Sequence, residues 1–135
     1  MKKPLILIAG PCVIENRTTP FVVAERVLEI TRRFNIQFIF KSSFKKANRT
    51  NLTSFTGIDF GEALKILHEI KTQFNIPVLT DVHESSEVNE VAAVAYYLQI
   101  PAFLCRQTDL LLACGKTGKW VNIKKGQFAS PESMK

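Results

Sequence analysis

Short, unbroken apolar runs alternate along the chain with longer segments whose apolar residues recur every three to four positions. Leu5-Ile6-Leu7-Ile8-Ala9, stopped by Gly10-Pro11, predicts a strand buried on both faces. Thr18 or Thr19 then predicts the cap of a helix running to about Phe34, with Pro20 in its first turn and an apolar stripe of Val23, Val27, Ile30 and Phe34. Ile36 to Phe40 predicts a second strand ending at Lys41, followed by a polar loop from Ser42 to about Asp59. A second helix is expected from Gly61 to Phe74, with Ala63, Leu64, Leu67, Ile70 and Phe74 turned inward. Pro77 to Asp81 predicts a third strand, and Ser85 or Ser86 the cap of a third helix of about ten residues. Tyr97 to Ile100 predicts a fourth strand, about Gln107 to Cys114 a fourth helix, and Trp120 to Lys124 a fifth strand. Ser130-Pro131-Glu132 reads as the cap and first turn of another helix.

Apolar strands alternating with amphipathic helices predict a parallel α/β protein. An open doubly wound sheet and a closed eightfold barrel both fit that alternation. The first strand runs into Gly10-Pro11-Cys12 rather than a glycine-rich dinucleotide turn, which favours the barrel. A TIM (β/α)8 barrel takes roughly 250 residues. The 135 residues here are therefore expected to form the N-terminal portion of a single barrel domain, truncated to about its first five β/α units. Such a half-barrel leaves two sheet edges and an apolar face uncovered, so it is expected to aggregate or oligomerise unless completed.

Composition narrows the class. Hydrophobic residues make up 46% and charged residues 22%, the balance of a chain with a core, not a disordered one. The net charge of +6 suits an anionic partner. Its concentration at Lys41, Lys45, Lys46 and Arg49, without heptads or zinc spacing, points to a local anion pocket and away from nucleic acid. Three cysteines without paired spacing, Cys12, Cys105 and Cys114, argue against a disulfide framework. The N-terminal apolar run is too short for a signal peptide, Pro11 opposes lipoprotein cleavage at Cys12, and no segment approaches a membrane span. A cytoplasmic location, with no membrane partner, is the expectation.

In a barrel the chemistry lies at the C-terminal ends of the strands. Those ends read Cys12, Lys41, Asp81, Gln99 and Lys124, a convergent polar rim above an apolar core. The loop after the second strand adds Ser43, Lys46, Asn48, Arg49 and Thr50, a set of donors suited to phosphate and carboxylate oxygens. Cys12 reads either as a metal ligand or nucleophile, or as a small packed side chain. His83 reads either as a ligand or base, or as a satisfied, partly buried imidazole. Cys105 and Cys114 read as packing, and His68 as a solvent-facing helix residue.

The motifs Ile8-Ala9-Gly10-Pro11-Cys12-Val13-Ile14-Glu15, Phe40-Lys41-Ser42-Ser43-Phe44, Lys46-Ala47-Asn48-Arg49, Thr80-Asp81-Val82-His83-Glu84, Gln99 to Asp109 and Asn122 to Phe128 resemble those of the 3-deoxy-ulosonate phosphate synthases. Asn48, where the heptulosonate branch has proline, resembles the octulosonate 8-phosphate branch. The match covers nearly all of this chain and about half of that family's barrel. The resemblance implies a transferase that condenses phosphoenolpyruvate with D-arabinose 5-phosphate, a step feeding lipopolysaccharide inner-core (Kdo) synthesis. It implies that Lys41, Ser43, Lys46, Gln99 and Lys124 hold phosphoenolpyruvate, that Asn48, Arg49, Thr50 and Asp81 hold the sugar phosphate, and that Lys46, Asn48, Asp81 and Lys124 stand at the reacting atoms. It also implies a homotetramer in which Arg106 reaches a neighbouring subunit's sugar phosphate.

Cysteine at position 12, where another class of the family has asparagine, implies a divalent metal (iron, zinc or manganese) whose remaining ligands come from the other half of the barrel. This chain departs from the family pattern at Lys45, at Thr50 to Thr53, at Thr56 to Asp59 and at Trp120, mostly towards the sugar-phosphate side. Two rival readings are a heptulosonate synthase of aromatic biosynthesis and a truncated, non-catalytic half-barrel.

Overall fold

The structure, a computed structural model, describes residues 4–134. Five parallel strands alternate with four α-helices: β1 (Ile6–Ala9), α1 (Thr18–Arg33), β2 (Gln37–Lys41), α2 (Phe60–Phe74), β3 (Val78–Asp81), α3 (Val88–Val94), β4 (Tyr97–Ile100), α4 (Thr108–Lys116) and β5 (Trp120–Ile123). They form one sheet in the order β1-β2-β3-β4-β5. That order decides between the two architectures. A doubly wound sheet reverses its strand order, whereas right-handed crossovers in strict sequence place every helix on the same face. The sheet therefore curls as a half-barrel, with helices outside and the strand C-termini at one mouth.

Side chains alternate between the two faces of each strand. Phe38, Phe40, Val78, Leu98 and Ile100 point outward into one core with Ala63, Leu64, Ile66, Leu67 and Ile70 of α2 and Val88, Val91 and Ala92 of α3. Ile39 and Leu79 point inward and are buried too. The α2 prediction holds, with Phe74 half-buried at its end. Asp59, one of the departures, caps this helix by accepting from the Glu62 N–H at 3.0 Å.

Several expectations are corrected. β1 is not buried: Leu5, Ile6, Leu7 and Ile8 are exposed. Among the described residues it pairs only with β2, so it lacks the second neighbour that burial of a parallel strand requires. Among the same residues β5 pairs only with β4, and Trp120 and Ile123 are exposed likewise. On α1 the buried residues are Pro20, Ala24 and Thr31, while Ile30 and Phe34 face outward. Thr31 is accommodated because its hydroxyl donates back to the Val27 and Leu28 carbonyls at 2.9 and 3.1 Å. Thr18 and Thr19 do not cap α1. The Asn16 side chain accepts from both of their N–H groups, at 3.0 and 2.8 Å. Neither Ser85 nor Ser86 caps α3, which spans Val88–Val94; just before it the Glu87 carboxylate accepts from the N–H groups of His83 and Glu84. β2 lies one residue later than predicted, and the expected last helix is a 3-10 turn at Glu132–Met134. Cys105 and Cys114 are buried as expected, and burial pushes the Cys114 thiol pKa up.

Candidate active site

At the mouth, register places chemistry in layers. Asp81 is the partner of Gln99, and Gln99 of Asn122; Ser43 enters beside them through an isolated parallel bridge to Val13. Their side chains join into one chain of hydrogen bonds. Ser43 Oγ donates to Asp81 Oδ2 at 2.7 Å, Gln99 Nε2 donates to Asp81 Oδ1 at 2.6 Å, and Asn122 Nδ2 donates to Gln99 Oε1 at 2.9 Å. Lys41 reaches up from the end of β2 to donate to Ser43 Oγ at 2.9 Å and to the Cys12 carbonyl at 3.4 Å. Its ammonium stands 4.0 Å from Asp81. Ser43 and Gln99 are buried, so the rim is held rigidly where β2, β3, β4 and β5 end. Asn122 was not among the candidates read from the sequence. Its signal was present: it lies two residues before Lys124 and so shares that residue's face of the strand.

Gly10 lets β1 join this rim. A Cβ built there would stand 2.0 Å from the Lys41 carbonyl oxygen, so only glycine allows the two strand ends to pass so closely.

An open cleft of about 640 Å³ sits over the rim, lined by Cys12, Lys41, Ser43, Lys46, Asn48, Asp81, Gln99 and Lys124. The structure thus brings eight of the candidate residues together. Arg49, Thr50 and Arg106 do not line the cleft. Arg49 is half-buried in the loop, its Nε enclosed and without a hydrogen bond among the described residues; Thr50 and Arg106 are exposed. The loop carrying Lys46 and Asn48 is closed at its neck by the Lys46 N–H donating to the Thr56 carbonyl at 2.7 Å. Between these points it is mostly exposed, Leu52 at 90%. Lys45, another departure, lines the cleft and lies 4.0 Å from Glu84.

His83 lines the same cleft. Its side chain is only 8% exposed and lies 3.8 Å from Glu87, edge-on to Phe44. Burial holds its pKa below the ordinary histidine value, against the opposing pull of Asp81 and Glu87. Cys12 is exposed at the rim. Among the described residues no group of three or more His, Cys, Asp or Glu is placed to hold a metal ion. Cys12 thus offers one soft donor and not a complete site. Among the same residues no helix is long and apolar enough to cross a membrane.

The family model described as "DAHP synthetase I family" matches residues 1–135. The chain belongs to the DAHP synthetase I family. Within it, a Campylobacter jejuni (strain 81-176) protein named "2-dehydro-3-deoxyphosphooctonate aldolase" is 56% identical over 133 residues, covering 98% of this chain and 49% of that protein. Proteins of the same name from Fusobacterium nucleatum and a Synechococcus strain are 56% and 54% identical, over 99% and 98% of this chain and 48% and 46% of their own lengths. The chain spans about half the length of the curated relatives it matches. The match agrees with the family resemblance read from the sequence.

Proposed function

We propose that the cleft holds phosphoenolpyruvate, and that the domain to which this half-barrel contributes condenses it with D-arabinose 5-phosphate to give 3-deoxy-D-manno-octulosonate 8-phosphate and phosphate. One observation carries the reading: Lys41, Lys46, Gln99 and Lys124, from separate elements, line a single cleft above an ordered hydrogen-bonded rim. The name that these relatives share, 2-dehydro-3-deoxyphosphooctonate aldolase, supports the same substrate class.

Two polyanions repel each other, and fixed cations offset that repulsion while setting the geometry of attack. Lys41, Ser43, Lys46, Gln99 and Lys124 hold the phosphate and carboxylate of phosphoenolpyruvate. Asn48, Arg49, Thr50 and Asp81 receive the sugar phosphate, the first three from the loop. C3 of phosphoenolpyruvate forms a bond to the aldehyde carbon, water adds at C2, and phosphate leaves with cleavage of its bond to C2. Cys12 fits as one ligand of a divalent metal, which when bound polarises an oxygen or activates water as a Lewis acid. Arg106, exposed away from the cleft, is assigned to a neighbouring subunit's site in a homo-oligomer.

Calorimetric titration with phosphoenolpyruvate tests the reading. Binding that weakens by at least about tenfold in Lys124→Ala is expected, the loss of one charge-assisted contact; unchanged affinity overturns the assignment of Lys124. Phosphate release with arabinose 5-phosphate against erythrose 4-phosphate, measured on a protein carrying the whole barrel, separates the octulosonate from the heptulosonate reaction.

A further inference from the structure

We infer that Asn122 is a positioning residue for the anion cleft, acting through Gln99. The polarity of the rim gives the argument. Both Asp81 oxygens accept hydrogen bonds in the rim, so Asp81 fixes the sense of everything attached to it. Gln99 must turn its amino group to Asp81 at 2.6 Å, and its carbonyl oxygen then points to β5. That oxygen is met by Asn122 Nδ2 at 2.9 Å.

A single hydrogen bond leaves a carboxamide free to swing about it, and a second bond at the opposite end removes that freedom. One Gln99 N–H is taken by Asp81, so the other is the donor left for a ligand. Gln99 lines the cleft, but Asn122 does not. Asn122 is half-buried behind Gln99 as its register partner on the neighbouring strand. Its effect on a ligand therefore runs through the orientation of the Gln99 amide.

This inference rests on the cleft binding phosphoenolpyruvate, and its test has an arm that does not. The probes are phosphoenolpyruvate for affinity and the Gln99 side-chain amide protons for orientation, followed by nitrogen-15 NMR on the 135-residue chain. Asn122→Ala is expected to accelerate exchange of those protons with solvent and to weaken phosphoenolpyruvate binding by roughly tenfold, the worth of about one hydrogen bond to a charged ligand. Backbone amide signals remote from β4 and β5 should stay in place. Asn122→Asp, nearly isosteric, should shift the Gln99 amide signals further, because a carboxylate then faces the Gln99 oxygen.

The deciding comparison is a double-mutant cycle. In the Gln99→Ala background, adding Asn122→Ala should cost no further affinity. Full additivity, or Gln99 amide signals and exchange unchanged in both Asn122 variants, overturns the inference. If the unsubstituted chain does not bind phosphoenolpyruvate, the proposed function fails, and the exchange measurement still decides whether Asn122 holds Gln99.

Discussion

The two limbs of the cleft are built differently. On one side, Lys41, Ser43, Asp81, Gln99 and Asn122 sit at the ends of packed strands and hold one another through hydrogen bonds. On the other, Lys46 and Asn48 ride on a loop tied by one backbone hydrogen bond at its neck, with Arg49 folded into it. The first limb presents its donors on packed, mutually hydrogen-bonded strand ends, and the second presents them on an exposed loop with few ties to the strands. Preorganisation lowers the cost of binding. Under the proposed assignment most phosphoenolpyruvate contacts (Lys41, Ser43, Gln99) stand on the strand side and most sugar-phosphate contacts (Asn48, Arg49, Thr50) on the loop side, so phosphoenolpyruvate should bind first.

Substitutions should register this contrast in their size. The largest effect is expected from Gly10→Val, which forces a side chain into the Lys41 carbonyl and should lower stability by about 3 kcal/mol, read as a drop in the urea unfolding midpoint. Asp81→Ala should follow at about 2 kcal/mol, since Ser43 and Gln99 lose their shared acceptor. It should also weaken phosphoenolpyruvate binding, measured by titration, because the donors are no longer aimed. His83, in the cleft lining, should give a smaller, pH-dependent effect. Its folded pKa lies below the ordinary 6.5, so the unfolded chain takes up the proton first. Its contribution to stability is full above about pH 6.5 and is lost as pH falls from there through the lowered folded value. Unfolding curves between pH 8 and pH 5 should show this decline, and His83→Gln should flatten it. The smallest effect is expected from Leu52→Ser at the loop tip, within about 0.5 kcal/mol of no change. A loop-tip loss as large as that at Asp81 would erase the distinction between the limbs.

The strand side was legible in the sequence because two strong patterns coincide there. Apolar runs mark the strands, and each run carries a polar residue at or next to its end, which singles out Lys41, Asp81, Gln99 and Lys124. Asn122 was not singled out, although it shares the strand face of Lys124; its register with Gln99 is what shows its use. The caps were misread for a related reason. Thr18, Ser85 and Ser86 have the right chemistry, but Asn16 and Glu87 hold the nearby backbone N–H groups instead. Burial of β1 was overestimated because an apolar run states what a strand needs, not which neighbours it has. The apolar stripe of α1 was right in period but rotated: the core takes the small Ala24 and the self-satisfied Thr31, leaving Ile30 and Phe34 outside.

The neck of the loop has a further consequence. Because Lys46 and Thr56 clasp backbone to backbone, the residues between them can be exchanged as a cassette while the scaffold beneath keeps its register. The unusual stretch from Thr50 to Thr53 lies wholly inside that cassette. On the proposed function, selectivity for the sugar phosphate could thus be re-engineered within the loop while the strand-end contacts stay in place.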